Sequence, residues 1–399
     1  MPTTRIGLVG AGFAASAHGR AYAQCTHPPV QMSAVASRSR HRADRFAAQF
    51  GIKRVFDTVE ELCASDQVDA VDICTPNRSH DDLARMALDA GKHVIIEKPL
   101  TGYFGPPDAP QEWMSHGVSR ELMLQEALRS ADGIVELARR RGLVIGYAEN
   151  LVYSPAVTRV QKLLLQSQSR ILEIRSNESH SGSHADYARR WREAGGGALL
   201  RLGAHPIGLA LYLKRWEGIE RHGTAIEVAA VSAEVATLHG AQPEYLAGGW
   251  VDVENWSACT ITFTDGSRAV CLASDLALGG LENVIHVLSD RARFNIDLGH
   301  HSLLQVYAPA PSIFAGEPFQ EKSHTNAGWS FPPIETEWIY GFKDELQDFA
   351  AAIAEGRQPR SNGDLGRAVV EAIYSGYLAA ERGTRVVLRG ETPERSRGG

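Results

Sequence analysis

The residues Gly10-Ala11-Gly12-Phe13-Ala14-Ala15 follow the apolar run Ile6-Gly7-Leu8-Val9 and precede a helix-compatible stretch reaching about Cys25. In such a G-x-G-x-x-A turn Gly10 permits the tight bend. Gly12 lets backbone approach a pyrophosphate, and Ala15 lets helix and strand pack closely. The unpaired N–H groups of the helix start, at Phe13 and Ala14, suit phosphate oxygens. The chemistry expected is dinucleotide binding. An acid at the end of the second strand would accept from the ribose hydroxyls of NAD and repel a 2′-phosphate. Here Ser37-Arg38-Ser39-Arg40 stands instead. A hydroxyl with guanidinium groups suits a 2′-phosphate, so the expected cofactor is NAD(P), with a lean towards NADP. The alternative is that Arg38 stacks on adenine and both cofactors bind.

These residues need a scaffold, and the first half of the chain spells one out. Strands are expected at Ile6–Val9, Met32–Ala36, Val71–Pro76, His93–Ile96 and Leu143–Tyr147. Helices are expected at Arg40–Phe50, Ser79–Ala90 and Ser119–Arg141, with Gly51 and Gly91 just past two of their ends. Repeated β-α units with right-handed crossovers give an α/β Rossmann domain with a doubly wound parallel sheet. From about Arg170 the style changes. Ile171–Asn177, Ile226–Leu238, Trp256–Phe263 and Ala269–Ser274 alternate as strands, and Asp265-Gly266 signals a hairpin. Helix Gly197–Lys214 interrupts them. An α+β C-terminal domain around a large open mixed sheet follows. The expected division is 1–148 for the dinucleotide domain, with a Gly/Pro-rich insertion at about 101–118, then 149–390 for substrate and oligomerisation, then a frayed tail, 391–399. Helices near Tyr340–Glu355 and Asn362–Arg382 are expected to pack back on the junction. One uncovered sheet face favours a homo-oligomer, a dimer, tetramer or larger.

Composition narrows the partners. A net charge of -6 leaves no basic footprint for nucleic acid. No apolar run approaches the ~20 residues of a membrane span. Cys25, Cys63, Cys74, Cys259 and Cys271 are scattered and form no C-x-x-C pair. That spacing argues against a disulfide framework or a thiolate metal site and for a cytoplasmic location.

The order Thr75-Pro76-Asn77, His80, Gly91-Lys92-His93-Val94-Ile95-Ile96-Glu97-Lys98-Pro99-Leu100 resembles the glucose–fructose oxidoreductase/inositol dehydrogenase (Gfo/Idh/MocA) family. Gly195-Gly196-Gly197 with His205, the hairpin Phe263-Thr264-Asp265-Gly266 and the Tyr340–Arg382 region extend the resemblance over nearly the whole chain. It implies a small carbohydrate or cyclitol substrate and a lysine, Lys98, beside the nicotinamide. Oxidising a secondary alcohol needs a base for the hydroxyl proton, which Lys98 would supply with His205 assisting. Thr75, Pro76, Asn77, His80, Glu97 and Asn150 would line the cofactor, with Glu97 positioning the lysine or the cofactor.

Two departures stand out. Where many members of the family carry an aspartate one turn before the histidine, this chain has Arg201, on one face with His205 if the helix is continuous. Arg201 would either pair with substrate and disfavour protonated Lys98, or form a structural salt bridge. The segment Tyr147–Pro155 is longer than usual for the family and lacks its arginine. Glu149, Tyr153, His180, His184, Arg201 and His205, with Glu178, make a polar substrate cluster. Their scattered spacing favours sugar hydroxyls over a metal. Tyr153, Trp191 and Trp329 are either sugar-stacking faces or core aromatics. Two other functions fit the same residues: a redox-neutral lyase or hydrolase acting by transient oxidation, and a sugar-sensing regulator without chemistry.

Overall fold

A computed structural model describes residues 3–183, 185–238, 245–299, 306–314, 327–330 and 336–389. The expected tail and His184 lie outside them. The chain forms two compact units.

The first unit comprises Met1–Phe104, Leu122–Pro155 and Glu337–Glu371. Its strands are β1 (Thr4–Val9), β2 (Val30–Ala36), β3 (Arg54–Phe56), β4 (Ala70–Ile73), β5 (His93–Glu97) and β6 (Ile145–Ala148). They pair in parallel in the order β3-β2-β1-β4-β5-β6, which is the doubly wound arrangement. Their apolar runs are continuous because helices cover both faces of such a sheet. Register sets Val9 beside Ile73 and Ile73 beside Ile96, so β1, β4 and β5 end level. Ser39 caps the helix Arg40–Phe50 and left-handed Gly51 ends it, as expected. β3 and the short helix Val59–Ala64 were not expected. The helix opens on a capping box between Thr58 and Glu61 that the sequence displays. The helix Phe342–Glu355 belongs to this unit, and Phe349 packs against Gly146, where a Cβ would lie 2.8 Å from the ring.

The second unit comprises Gly105–Glu121, Ala156–Thr336 and Ala372–Gly399. β7 (Ile171–Ser179), β8 (Val228–Ala236), β9 (Trp256–Phe263), β10 (Arg268–Ser274), β11 (Glu282–Ser289), β12 (Arg293–Asp297) and β15 (Val386–Val387) form one mixed sheet in the order β12-β11-β7-β10-β9-β8-β15. A separate two-stranded ribbon pairs β13 (Val306–Ala308) with β14 (Gly328–Ser330). The Asp265-Gly266 turn joins β9 to β10 with Gly266 at φ 86°. The segment Gly105–Glu121 is pinned inside this unit. The buried Arg192 guanidinium donates to the carbonyls of Pro106 and Ala109 at 2.8 and 2.9 Å, and Asp252 accepts from Ser115 N at 2.7 Å.

One expectation needs correction. The helix foreseen over Gly197–Lys214 is two helices, Ala198–Arg201 and Ala204–His222, broken at Leu202–Gly203. At Gly203 a Cβ would lie 2.2 Å from the carbonyl oxygen of Leu199, and Pro206 falls in the first turn of the longer helix, where its missing N–H is tolerated. Arg201 and His205 therefore do not sit one turn apart on a continuous helix.

Lys214 anchors the longer helix. It is fully buried, with its amine 2.5 Å from Glu217, 2.9 Å from Asp265 and 3.2 Å from the carbonyl of Ile171. Removing one partner of a buried ion cluster strands the others. Lys214→Met should therefore lower stability by about 3–5 kcal/mol in denaturant unfolding. A loss below about 1 kcal/mol, the range of exposed ion pairs, would show that the cluster is not an anchor.

Candidate active site

The glycine turn leaves β1 with Gly10 at φ 110°, its N–H donating to the carbonyl of Ala36 at 2.9 Å. A Cβ on Gly10 would lie 2.3 Å from the carbonyl oxygen of Cys74, so only glycine fits. A Cβ on Gly12 would meet nothing within 4 Å, so the backbone there borders open space. The helix Phe13–Tyr22 carries no acid in its first turn. A pyrophosphate could therefore approach its exposed N–H groups without repulsion. These residues fit a dinucleotide. At the end of β2, Ser39 serves its helix cap, and Arg40 pairs with Asp44 at 2.9 Å and Asp57 at 2.5 Å. Arg38 is exposed and has no ion pair or hydrogen bond among the described residues, with Ser37 beside it half-buried.

Thr75 and Pro76 follow β4, and Asn77 opens a turn of 3-10 helix. His80 is fully buried, with Nδ1 2.8 Å from the carbonyl of Pro99 and Nε2 3.0 Å from that of Thr75. Burial holds its imidazole below the usual value despite those two carbonyls. His80 thus stands between the turn after β4 and the turn after β5, within hydrogen-bond distance of a carbonyl of each. Lys98 is half-buried one residue beyond β5, and its peptide bond to Pro99 is cis. The Lys98 N–H donates to Glu97 Oε2 at 3.0 Å.

The exit of β6 holds two more of the expected residues. Glu149 is fully buried. Asn150 is buried too, and its amide donates to the carbonyl of Tyr340 at 2.9 Å. Tyr153, expected near the substrate, is fully buried. Its hydroxyl donates to Asp348 at 2.8 Å and accepts from Ser361 N at 2.9 Å. Its ring packs edge-on to Phe349 and under Arg360. Trp191 is likewise buried, against Tyr377 and Arg120, whereas Trp329 is exposed.

In the second unit the ends of β7, β10 and β11 gather a second polar group. Glu178 accepts from Asn283 at 2.8 Å and lies 3.8 Å from His205 Nε2. His180 Nδ1 accepts from Gly182 N at 2.9 Å and lies 3.9 Å from Asp275. Arg201 forms a short ion pair with the fully buried Asp275, and its guanidinium lies 5.6 Å from the ring of Trp250. Of the two roles open to Arg201, the structural salt bridge is the one present. Glu254 caps the helix start ahead of Arg201, accepting from Gly197 N and Leu199 N, with Tyr377 OH donating to it at 2.7 Å. Burial nonetheless raises its carboxyl above the usual value. Asp275 and Asn283 belong to this group without any motif in the sequence to mark them. Asp275 stands one residue past an expected strand, but only the β7–β10 register, which sets Ser274 beside Ser179, brings it to His180.

Comparison with known proteins gives the family. Residues 4–115 match the Gfo/Idh/MocA oxidoreductase family, NAD-binding Rossmann fold, and residues 167–295 match its C-terminal domain. The chain belongs to this family. It is 36% identical over 100 residues to scyllo-inositol 2-dehydrogenase (NADP+) of Bacillus subtilis, covering 25% of this chain and 30% of that one. It is 25% identical over 382 residues to D-xylose 1-dehydrogenase (NADP+) 2 of Haloferax volcanii, covering 90% and 94%. With several other curated relatives the match spans about half of their length. Among solved structures, GenD2 from gentamicin A biosynthesis in complex with NAD superposes with TM-score 0.78 at 25% identity, covering 97% of each chain.

Proposed function

We propose that this protein is an NAD(P)-dependent dehydrogenase moving a hydride between nicotinamide and a ring hydroxyl of a sugar, glycoside or cyclitol. The observation carrying this reading is the position of Lys98, just past the end of β5 on the same sheet edge as the glycine turn of β1. Open α/β sheets bind their ligands outside that edge. When bound, the nicotinamide would accept or supply the hydride. Lys98 takes the hydroxyl proton as the alcohol is oxidised and returns it in the reverse direction. His205 shares that proton in this reading. His180 accepts a backbone N–H at Nδ1, which leaves its own proton on Nε2 to donate to a hydroxyl. Glu178 and Glu149 offer acceptors for further hydroxyls. The inositol and xylose dehydrogenases among the relatives support the substrate class.

The test is a screen of sugars, glycosides and cyclitols with both cofactors, followed at the nicotinamide absorbance. Lys98→Ala should leave cofactor binding within a few-fold of the parent and lower kcat by about 10²–10⁴. Full turnover in that variant would remove the lysine from the chemistry. Product without net accumulation of reduced cofactor would point to a redox-neutral reaction instead.

Arg38 supports a preference for NADP, since it is the guanidinium at the end of β2 left over from helix capping and ion pairing. Arg38→Ala should raise the KM for NADP about tenfold, as loss of a charge-assisted contact does, and leave that for NAD nearly unchanged. Equal effects on both would assign Arg38 to the adenine.

The outward face of the second unit's sheet carries exposed Arg175, Thr260 and Leu272 on neighbouring strands, and a homo-oligomer through that face is the expected assembly. Sedimentation velocity should find a dimer or larger. A monomer across the micromolar range would contradict it.

A further inference from the structure

We propose that His18 is a positioning residue, a buried imidazolium bridging Asp72 and Glu97 that locks the helix carrying the glycine turn to the strand end carrying Lys98. This rests on the reading of Lys98 as the base. His18 lies on the helix Phe13–Tyr22 and is fully buried. Its Nδ1 is 2.8 Å from Asp72 Oδ2, and its Nε2 is 3.1 Å from Glu97 Oε1. A neutral imidazole has one N–H and would aim a lone pair at one of these carboxylates. Two protons remove that repulsion: Nδ1 donates a hydrogen bond to Asp72, while Nε2 meets Glu97 at ion-pair distance and makes no hydrogen bond among the described residues.

The neighbours are arranged to keep this state. Asp72 also accepts from Tyr22 OH at 2.9 Å and from the Cys74 thiol at 3.5 Å, so its two oxygens serve three donors, as an ionised carboxylate can. Burial opposes a charge on His18, but Asp72 and Cys74 outweigh it and hold the imidazole well above its ordinary value. Burial likewise pushes Glu97 up, yet His18 and Lys98 outweigh it and hold the carboxyl below the usual range. Burial raises the Cys74 thiol, which stays a hydrogen-bond donor. Glu345, from the helix Phe342–Glu355, is close enough for His18, Glu97, Asp72 and Asp348 to act on it. Among the described residues both its buried oxygens lack a hydrogen-bond partner, and burial raises its carboxyl well above the usual value.

The consequence is mechanical as well as electrical. The other oxygen of Glu97 accepts the Lys98 N–H. One chain of contacts therefore runs from Tyr22 and Asp72 through His18 and Glu97 to the lysine backbone. The helix that would hold the pyrophosphate and the turn that aims the amine share one joint.

The test pairs His18→Asn with Lys98→Ala in the full-length protein. His18→Asn should fold and bind NAD(P)H near parent affinity, and its kcat should fall about ten- to a hundredfold, as a small misplacement of a reacting group does. The pH at which activity rises should also move upward, because a positive charge opposing a proton on Lys98 is gone. Combined with Glu97→Gln, the loss should be less than the product of the two single losses. Parent turnover and an unchanged pH profile in His18→Asn, with Lys98→Ala inactive, would overturn the inference. Activity in Lys98→Ala would instead overturn the base reading.

Should His18→Asn fail to fold, histidine-labelled parent protein gives the answer by nitrogen-15 NMR. His18 doubly protonated at pH 8 supports the bridge, and a neutral ring overturns it. The same protonation predicts a stability contribution complete below about pH 6.5 and lost as pH rises through the raised folded value. His18, Asp72 and Cys74 could also hold a metal ion, since their ligand atoms lie within 4.8 Å of one another. Stoichiometric metal in the parent, absent from His18→Asn, would likewise overturn the bridge.

Discussion

A parallel sheet leaves the C-terminal ends of all its strands along one edge, and the active half of this protein is built on that constraint. β1, β4 and β5 end level, so the glycine turn, the Thr75-Pro76-Asn77 turn and the Glu97-Lys98-Pro99 turn stand side by side. Each is fixed to its neighbour. Gly10 packs against the Cys74 carbonyl, and His80 spans from the Thr75 carbonyl to that of Pro99. Turns pinned in this way hold their side chains in place before any ligand arrives.

The second unit uses a different device. Its sheet is mixed, with β7 and β10 the parallel pair, and their shared end brings Glu178, His180 and Asp275 into one polar group. The Arg201–Asp275 pair places a carboxylate within that group although the residue one turn before His205 in sequence is an arginine. The helix break at Leu202–Gly203 separates the duties of the two residues. Arg201 ends one short helix in an ion pair, and His205 begins the next, near Glu178. In a buried pair of this kind desolvation offsets much of the attraction.

Much of this was legible in the residues. The β-α repetition of the first half, the glycine turn and the ordered motifs from Thr75 to Leu100 are local patterns, and local patterns survive folding. The four strands foreseen in the second half are present for the same reason. β11 and β12 were not foreseen, since their alternation is diluted by Asn283, His286 and Asn295. The helix break was hidden because Gly203 reads as a tolerable helix residue until the Leu199 carbonyl is seen against it. Tyr153 reads equally as a sugar-stacking face or a core aromatic, because its contacts, Asp348 and Ser361, lie 195 and 208 residues further along the chain. His18, Asp72 and Asp275 carry no sequence signal of their own. Their partners lie dozens of residues away, and tertiary register alone brings them together.

The most direct test of the account is a crystal structure of the protein with NAD(P) bound, read for the distance from the lysine amine to the reactive carbon of the nicotinamide. The pyrophosphate should lie on the N–H groups at Gly12–Ala14, and Lys98 Nζ within about 4–5 Å of that carbon, close enough to reach a hydroxyl held in attack distance. A nicotinamide bound elsewhere, or an amine turned out to solvent with the ring in place, would contradict it.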